Sequence, residues 1–345
     1  MNTLQSDDSV DAPPDVYHGG DLAAAHVAFP NAPRPWLDLS TGINPNSYPL
    51  PEMPLDAWRR LPGRERLSEL ERIATARYGA AENSRVVAGP GIQAFIQILP
   101  RLRRAERIGV LGFTYLEYER VWQSAGVDVQ IVATLDELRA FDIAVVVNPN
   151  NPDGRLIAAD RLAGLASEMA KRGGLLIVDE AFMDPLPVTH SVARLLSMDS
   201  ILVLRSFGKM YGLAGIRLGF AITAPSIAQA MTQLLGPWSV SGPAIEVGIK
   251  ALSDKGWLDT AITDLNTLAT KIDAVLISHG LSIVGGTPLF RLVAHSNAQT
   301  LFSALGRHGI LVRPFSKRPK LLRLGLPGNE HALIRLRMAL ERIDA

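Results

Sequence analysis

Between about residue 64 and residue 206 the chain repeats one pattern, a short β-branched run followed by a stretch with helical spacing. "ERLSELERIATARYG" reads as an amphipathic helix stopped by Gly79. "RVVAG" then reads as a strand and "IQAFIQILPRL" as a helix. The units "RIGVL"/"YLEYERVWQSAG", "DIAVVVN"/"AADRLAGLASEMAKRG", "GLLIVDE"/"VTHSVARLLS" and the run "SILVLRS" continue it. Parallel strands need a crossover between them, so this alternation predicts an α/β fold with a mainly parallel sheet flanked by helices. Near residue 225 the helical patterns lengthen and strands thin out, which predicts a smaller α+β domain. The expected division is a loose acidic tail at 1–16, an N-terminal arm at 17–48 belonging to the small domain, a large domain at 49–240 and the small domain at 241–345.

Composition removes several function classes. Lys plus Arg number 35 against 34 Asp plus Glu, so no overall field draws the chain to nucleic acid. The basic clusters "RLRR" (101–104) and "RPFSKRP" (313–319) read as solvated faces before they read as polyanion patches. No apolar run approaches the roughly 18–20 residues that span a bilayer, so no membrane segment is expected. The first residues lack the basic start and apolar stretch of a secretory signal. There is no cysteine, which excludes disulfides and thiolate metal sites and fits a cytoplasmic location. The seven histidines show no ligand spacing, so no metal is expected.

Ligands of open α/β sheets collect at the carboxyl ends of the strands. After "RVVAG" comes "PGIQAF", where glycines permit a tight turn and a helix start offers N–H groups to an anion; alone, such a stretch is more often just a turn. After "DIAVVV" comes "NPNNPDG", whose amides suit a flat polar ligand. After "GLLIV" come Asp179 and Glu180, readable as a helix-capping acid or as the partner of a cation. After "SILVL" comes "SFGKMYGLAGIRLGF", with Ser206, Lys209 and Arg217. A lysine among small and aromatic residues is desolvated, which lowers its pKa and makes its amine nucleophilic toward an aldehyde. Taken together, these ends suit pyridoxal 5'-phosphate: lysine for the aldehyde, aspartate for the pyridinium nitrogen, helix start for the phosphate.

"NPNNPDG", "DEAF" and "SFGKMYGLAGIRLGF", in this order and spacing, resemble the fold-type I pyridoxal-phosphate enzymes of the aspartate aminotransferase superfamily, in particular the histidinol-phosphate aminotransferase branch. Within that branch "HGGDLAAA", "WLDLSTGINPNSYP", "AGPGIQAFIQILPRL" and "VDEAFMD" are similar to the threonine-phosphate decarboxylase family of cobalamin biosynthesis. That resemblance implies decarboxylation of L-threonine O-3-phosphate to (R)-1-aminopropan-2-ol O-2-phosphate by a homodimer.

It also implies roles. Lys209 would hold the cofactor aldehyde, Asp179 the protonated ring nitrogen and Asn151 the ring oxygen. Gly91 and Ile92 (through backbone N–H groups), Ser206 and Arg217 would hold the cofactor phosphate, with Tyr115 stacked on the ring. Arg323 would take the substrate carboxylate and Arg313 and Tyr48 its phosphate, Tyr48 from the partner subunit; Asn44 and His18 would be further substrate contacts. Two positions depart from the pattern: Phe182 stands where a tyrosine is common and Gly208 where a serine is frequent. The cofactor motifs serve transamination and decarboxylation alike, so a histidinol-phosphate or related amino-acid aminotransferase is the alternative. A non-catalytic cofactor-binding sensor is a lesser one, since the roughly 16 residues before the fold are too few for a helix-turn-helix.

Overall fold

The computed structural model describes residues 19–195 and 200–344. Its strands in chain order are β1 (Leu37–Asp38), β2 (Arg85–Gly89), β3 (Arg107–Leu111), β4 (Asp128–Val132), β5 (Ile143–Val147), β6 (Leu175–Asp179), β7 (Ile201–Ser206), β8 (Gly219–Thr223), β9 (Ser282–Thr287), β10 (Phe290–Ala294), β11 (Ile310–Leu311), β12 (Arg313–Pro314) and β13 (Leu321–Gly325). Seven of them form one sheet in the order β2-β8-β7-β6-β5-β3-β4. Strands β3 to β7 are parallel to their neighbours, whereas β8 runs antiparallel to both β2 and β7. The central strands β5 and β6 are buried along their whole length, as helices on both faces require.

Because β8 is reversed, its amino end arrives at the edge where β2, β3, β5, β6 and β7 finish. Gly219 pairs with both Gly89 and Ser206, so the segment before β8, carrying Arg217, meets the segments that follow β2 and β7. This one reversal gathers most of the predicted cofactor residues at a single edge.

A second, antiparallel sheet has the order β12-β13-β10-β9, and β1 pairs with β11 beside it, so residues 37–38 join the carboxyl-terminal part of the chain. Helix Gly242–Ser253 packs on helix Arg64–Tyr78, with Gly248 against Leu70 and Arg66 paired with Glu246, and therefore stays with the seven-stranded sheet. The passage to the second sheet is made by the next helix, Lys255–Ser278, beyond the boundary expected at 240. The stretch 188–195, expected to be helical, forms two short 3-10 turns. Strand β4, which the sequence pattern hides, is a largely solvated edge strand.

Candidate active site

A cavity of about 470 Å³ opens at the shared strand edge. Gly91, Ile92, Tyr115, Asn151, Asp179, Ser206, Lys209, Arg217, Arg313 and Arg323 all line it, from both sheets. Tyr48 and Asn44 do not. His18 lies outside the described residues.

At the anion end, helix Ile92–Leu102 begins at Gly91 with no side-chain cap, leaving its first N–H groups for another acceptor. A β-carbon on Gly91, whose φ is 84°, would sit 2.8 Å from Nη2 of Arg217, so the guanidinium lies directly against the helix start. Arg217 itself has a left-handed φ of 56°, held by a bond from Nη1 to the Ala214 carbonyl; such strain, about 1–3 kcal/mol, concentrates at functional sites. One expectation changes: the Gly91 N–H donates to the Gly89 carbonyl at 2.8 Å, so the anion-facing donors are those of the first helical turn from Ile92 on. Helix start, cation and the neighbouring Ser206 fit a phosphate.

The acid end is buried. Asp179 accepts bonds from Tyr118 Oη at 2.9 Å and from the Ala181 N–H at 2.9 Å. Burial pushes its pKa up to about 6, with those two donors and Lys209 opposing the shift. A buried carboxylate with room beside it in a cavity suits a cationic ring nitrogen. Tyr118 was not singled out by sequence reasoning; it faces Asp179 only because helix Glu117–Ser124 folds over the end of β6.

Lys209 lies in a four-residue helical turn, Phe207–Met210, directly after β7. Its Nζ is 5.6 Å from the Phe182 ring centre, and that ring stands edge-on to Phe290. Burial lowers the lysine pKa to about 8, and Arg323, Arg313 and Arg217 push the same way against Asp179. The neutral amine is the nucleophile. The rate at which cofactor-free protein captures pyridoxal 5'-phosphate, followed by absorbance, should therefore rise with pH up to about 8 and level off above it. A rate that is flat across that range contradicts the assignment of Lys209. At Gly208 a β-carbon would come within 2.7 Å of Ala214 Cα, so the serine expected there has no space in this chain.

Asn44 has a different place from the one expected. Its N–H donates to the Lys209 carbonyl at 2.9 Å and its Nδ2 to the Met210 carbonyl at 3.0 Å, while its Oδ1 accepts from Asn46 N–H. With both ends of the amide engaged, Asn44 clamps the lysine turn from behind and makes no contact across the cavity. Tyr48 continues the clamp through its N–H to Tyr211, and its ring packs among Tyr211, Trp257 and Asp254.

Arg323 is buried and lines the cavity. Its Nη1 donates to Asn151 Oδ1 at 2.6 Å and its Nη2 to the Ser40 carbonyl at 2.7 Å, and its Nε has no partner. Since Arg323 takes the Asn151 oxygen, the Asn151 amide NH2 is the group able to donate to a ring oxygen. Tyr115 Oη donates to Gln93 Oε1, and Gln93 Nε2 to Glu117 Oε2 at 2.7 Å, so the ring expected to stack is tethered to the phosphate-side helix. Burial and nearby Glu117 raise the Tyr115 pKa to about 12, and its hydroxyl stays protonated.

Comparison with known proteins gives the family and the fold. A model of class I and II aminotransferases matches residues 57–343, and the chain belongs to that family. Its relatives include two threonine-phosphate decarboxylases. One, from a Sinorhizobium species, is 41% identical over 95% of this chain and 98% of its own length. The other, from Pseudomonas aeruginosa, is 41% identical over 94% and 96%. Among solved structures, the histidinol-phosphate aminotransferase of Clostridium acetobutylicum superposes with a TM-score of 0.77 at 20% identity, covering 89% of this chain and 99% of that one. The fold is the fold-type I aminotransferase fold expected from the motifs.

Proposed function

We propose that the chain decarboxylates L-threonine O-3-phosphate to (R)-1-aminopropan-2-ol O-2-phosphate with pyridoxal 5'-phosphate, as a step of cobalamin biosynthesis. The geometric observation that supports it is a cross-strand pair of cations: Arg313 on β12 lies opposite Arg323 on β13, and both line the cavity with Lys209 and Asp179. Two arginines facing one another call for two anions, and the substrate carries a carboxylate and a phosphate.

When bound, the cofactor supplies an aldehyde for the substrate amine and a ring that accepts the electron pair of a broken Cα bond. Asp179 keeps a proton at the ring nitrogen, and Asn151 donates to the ring oxygen with less help than usual, since Phe182 has no hydroxyl. Arg323 binds the carboxylate and Arg313 the phosphate, which fixes rotation about the substrate N–Cα bond. With the cofactor bound, that fixed rotation would select the Cα–carboxylate bond for cleavage, carbon dioxide would depart, and Lys209 Nζ would deliver a proton to Cα. Lysine cannot keep the Asn151 and Ser40 contacts and still grip a carboxylate at two points. Arg323→Lys should therefore lower kcat/KM by roughly 10²–10³-fold, as steady-state rates on threonine phosphate would show; a change within twofold removes Arg323 from the carboxylate site.

The exposed side chains of Leu50, Leu55, Trp58, Leu61 and Trp238 lie on neighbouring segments, Ala57 touching Gly242 and Pro62 sharing a groove with Trp238. Such a face supports a homodimer; to serve the partner's cavity the Tyr48 hydroxyl would have to leave Asp254. Sedimentation at the mass of a single chain would count against it. A phosphorylated substrate that cannot cross a membrane unaided supports a cytoplasmic location, as does the lack of cysteine; recovery in another cell fraction argues otherwise. Among the described residues no helix is long and apolar enough to cross a membrane. The activity is tested by incubating the purified holoenzyme with threonine phosphate and no oxo acid: steady release of carbon dioxide is expected. Turnover that requires 2-oxoglutarate and returns glutamate would assign the aminotransferase reaction instead.

A further inference from the structure

Arg313 has an electrostatic difficulty. It sits directly across the strand pair from Arg323, and like charges in that position repel. Strand β12, which carries it, is only two residues long. The segment that follows places an aromatic ring against the guanidinium.

The Arg313 guanidinium lies 5.7 Å from the centre of the Phe315 ring. Phe315 packs edge-to-face on Phe113, with centres 5.3 Å apart and planes at 75°. The chain then turns back through a bond from the Arg318 N–H to the Phe315 carbonyl at 3.1 Å, and the Arg318 guanidinium comes to 5.6 Å from the Phe113 ring centre. The result is a cation–ring–ring–cation stack between the two sheets. Its anchor on the large sheet is rigid: buried Asn150 donates from Nδ2 to the Phe113 carbonyl at 3.0 Å and accepts from Thr114 Oγ1 at 2.6 Å.

We infer that Phe315, braced by Phe113, is a positioning residue that holds Arg313 toward the cavity and so sets the preference for a phosphorylated over an unphosphorylated substrate. The inference rests on the reading of Arg313 as the phosphate-binding group. A cation over a ring contributes about 0.5–2 kcal/mol depending on desolvation, enough to alter an affinity roughly two- to thirtyfold. The basic run at 313–319, which sequence alone leaves as a solvated face, acquires a specific task in this account.

The test compares holoenzymes of the wild type, Phe315→Leu, Phe315→Tyr and Phe113→Leu, reading KM and kcat for threonine phosphate and the inhibition constant of inorganic phosphate. Phe315→Leu and Phe113→Leu should raise both the KM and the phosphate inhibition constant roughly two- to thirtyfold, any fall in kcat coming together with that rise. Phe315→Tyr, which keeps the ring, should behave as the wild type. Leucine variants with unchanged constants, or with kcat falling while KM stays put, overturn the inference while leaving Arg313 in its role. A wild type that handles threonine as well as threonine phosphate and ignores inorganic phosphate overturns the inference and the reading of Arg313 together.

Discussion

Lys209→Ala is expected to lower turnover by roughly 10⁴–10⁶-fold, the scale seen when a covalent group is removed from its enzyme. The amine sits in a site that lowers its pKa to about 8, on a turn whose backbone is clamped by Asn44 from behind. Among the described residues no other lysine lines the cavity. The variant should still bind pyridoxal 5'-phosphate weakly, because the helix start, Arg217 and Asp179 are untouched. It should no longer retain the cofactor on denaturation after borohydride treatment. In the wild type the same treatment should fix the cofactor on the peptide that contains Lys209; fixation on a different lysine overturns the assignment.

Asp179→Asn is the second large effect. Asparagine keeps the size of the side chain, and its Oδ1 can still accept from the Ala181 N–H with its NH2 turned toward the Tyr118 oxygen, but it carries no charge to hold a proton on a ring nitrogen. Turnover should fall by about 10²–10³-fold, as for other preorganised electrostatic groups, while cofactor occupancy read from absorbance falls far less. The change also removes a buried carboxyl whose pKa is raised from 3.8 to about 6. Such a carboxyl binds its proton more tightly folded than unfolded, so between pH 4 and 6 it favours the folded state progressively less as pH rises. Cofactor-free Asp179→Asn should accordingly lack this part of the wild-type pH dependence in thermal melts. Lost occupancy with full activity in the remaining holoenzyme would make Asp179 a structural cap.

Much of this is legible in the sequence, for local reasons. Helix Ile92–Leu102 and strands β2, β3, β5, β6 and β7 follow from periodicity and from glycines at their ends, and chemistry at strand ends directs attention to Asp179, Lys209 and Arg217. What stayed hidden depends on contacts distant in sequence. Asn44 looked like a ligand contact because nothing in "STGINP" reveals that its amide meets the carbonyl of Met210. Tyr118 gives no signal apart from its helix, since its partner is 61 residues away. The 188–195 stretch has helical spacing, yet Ser191 is drawn into a buried bond to Glu180, whose other partners are the Val192 N–H and Arg205, and the helix gives way to turns. Strand β4 escaped notice because an edge strand facing water need not look apolar.

The central claim is that the bond broken at Cα is the one to the carboxylate. It is tested most directly by turning over threonine phosphate deuterated at Cα in ordinary water and analysing the product by mass spectrometry and NMR. The account predicts aminopropanol phosphate that retains the deuterium at the former Cα and gains one proton there from solvent, in equal amount to the carbon dioxide released. Deuterium lost to solvent, with an oxo acid formed and no carbon dioxide, would show that the Cα–H bond is the one broken and would contradict it.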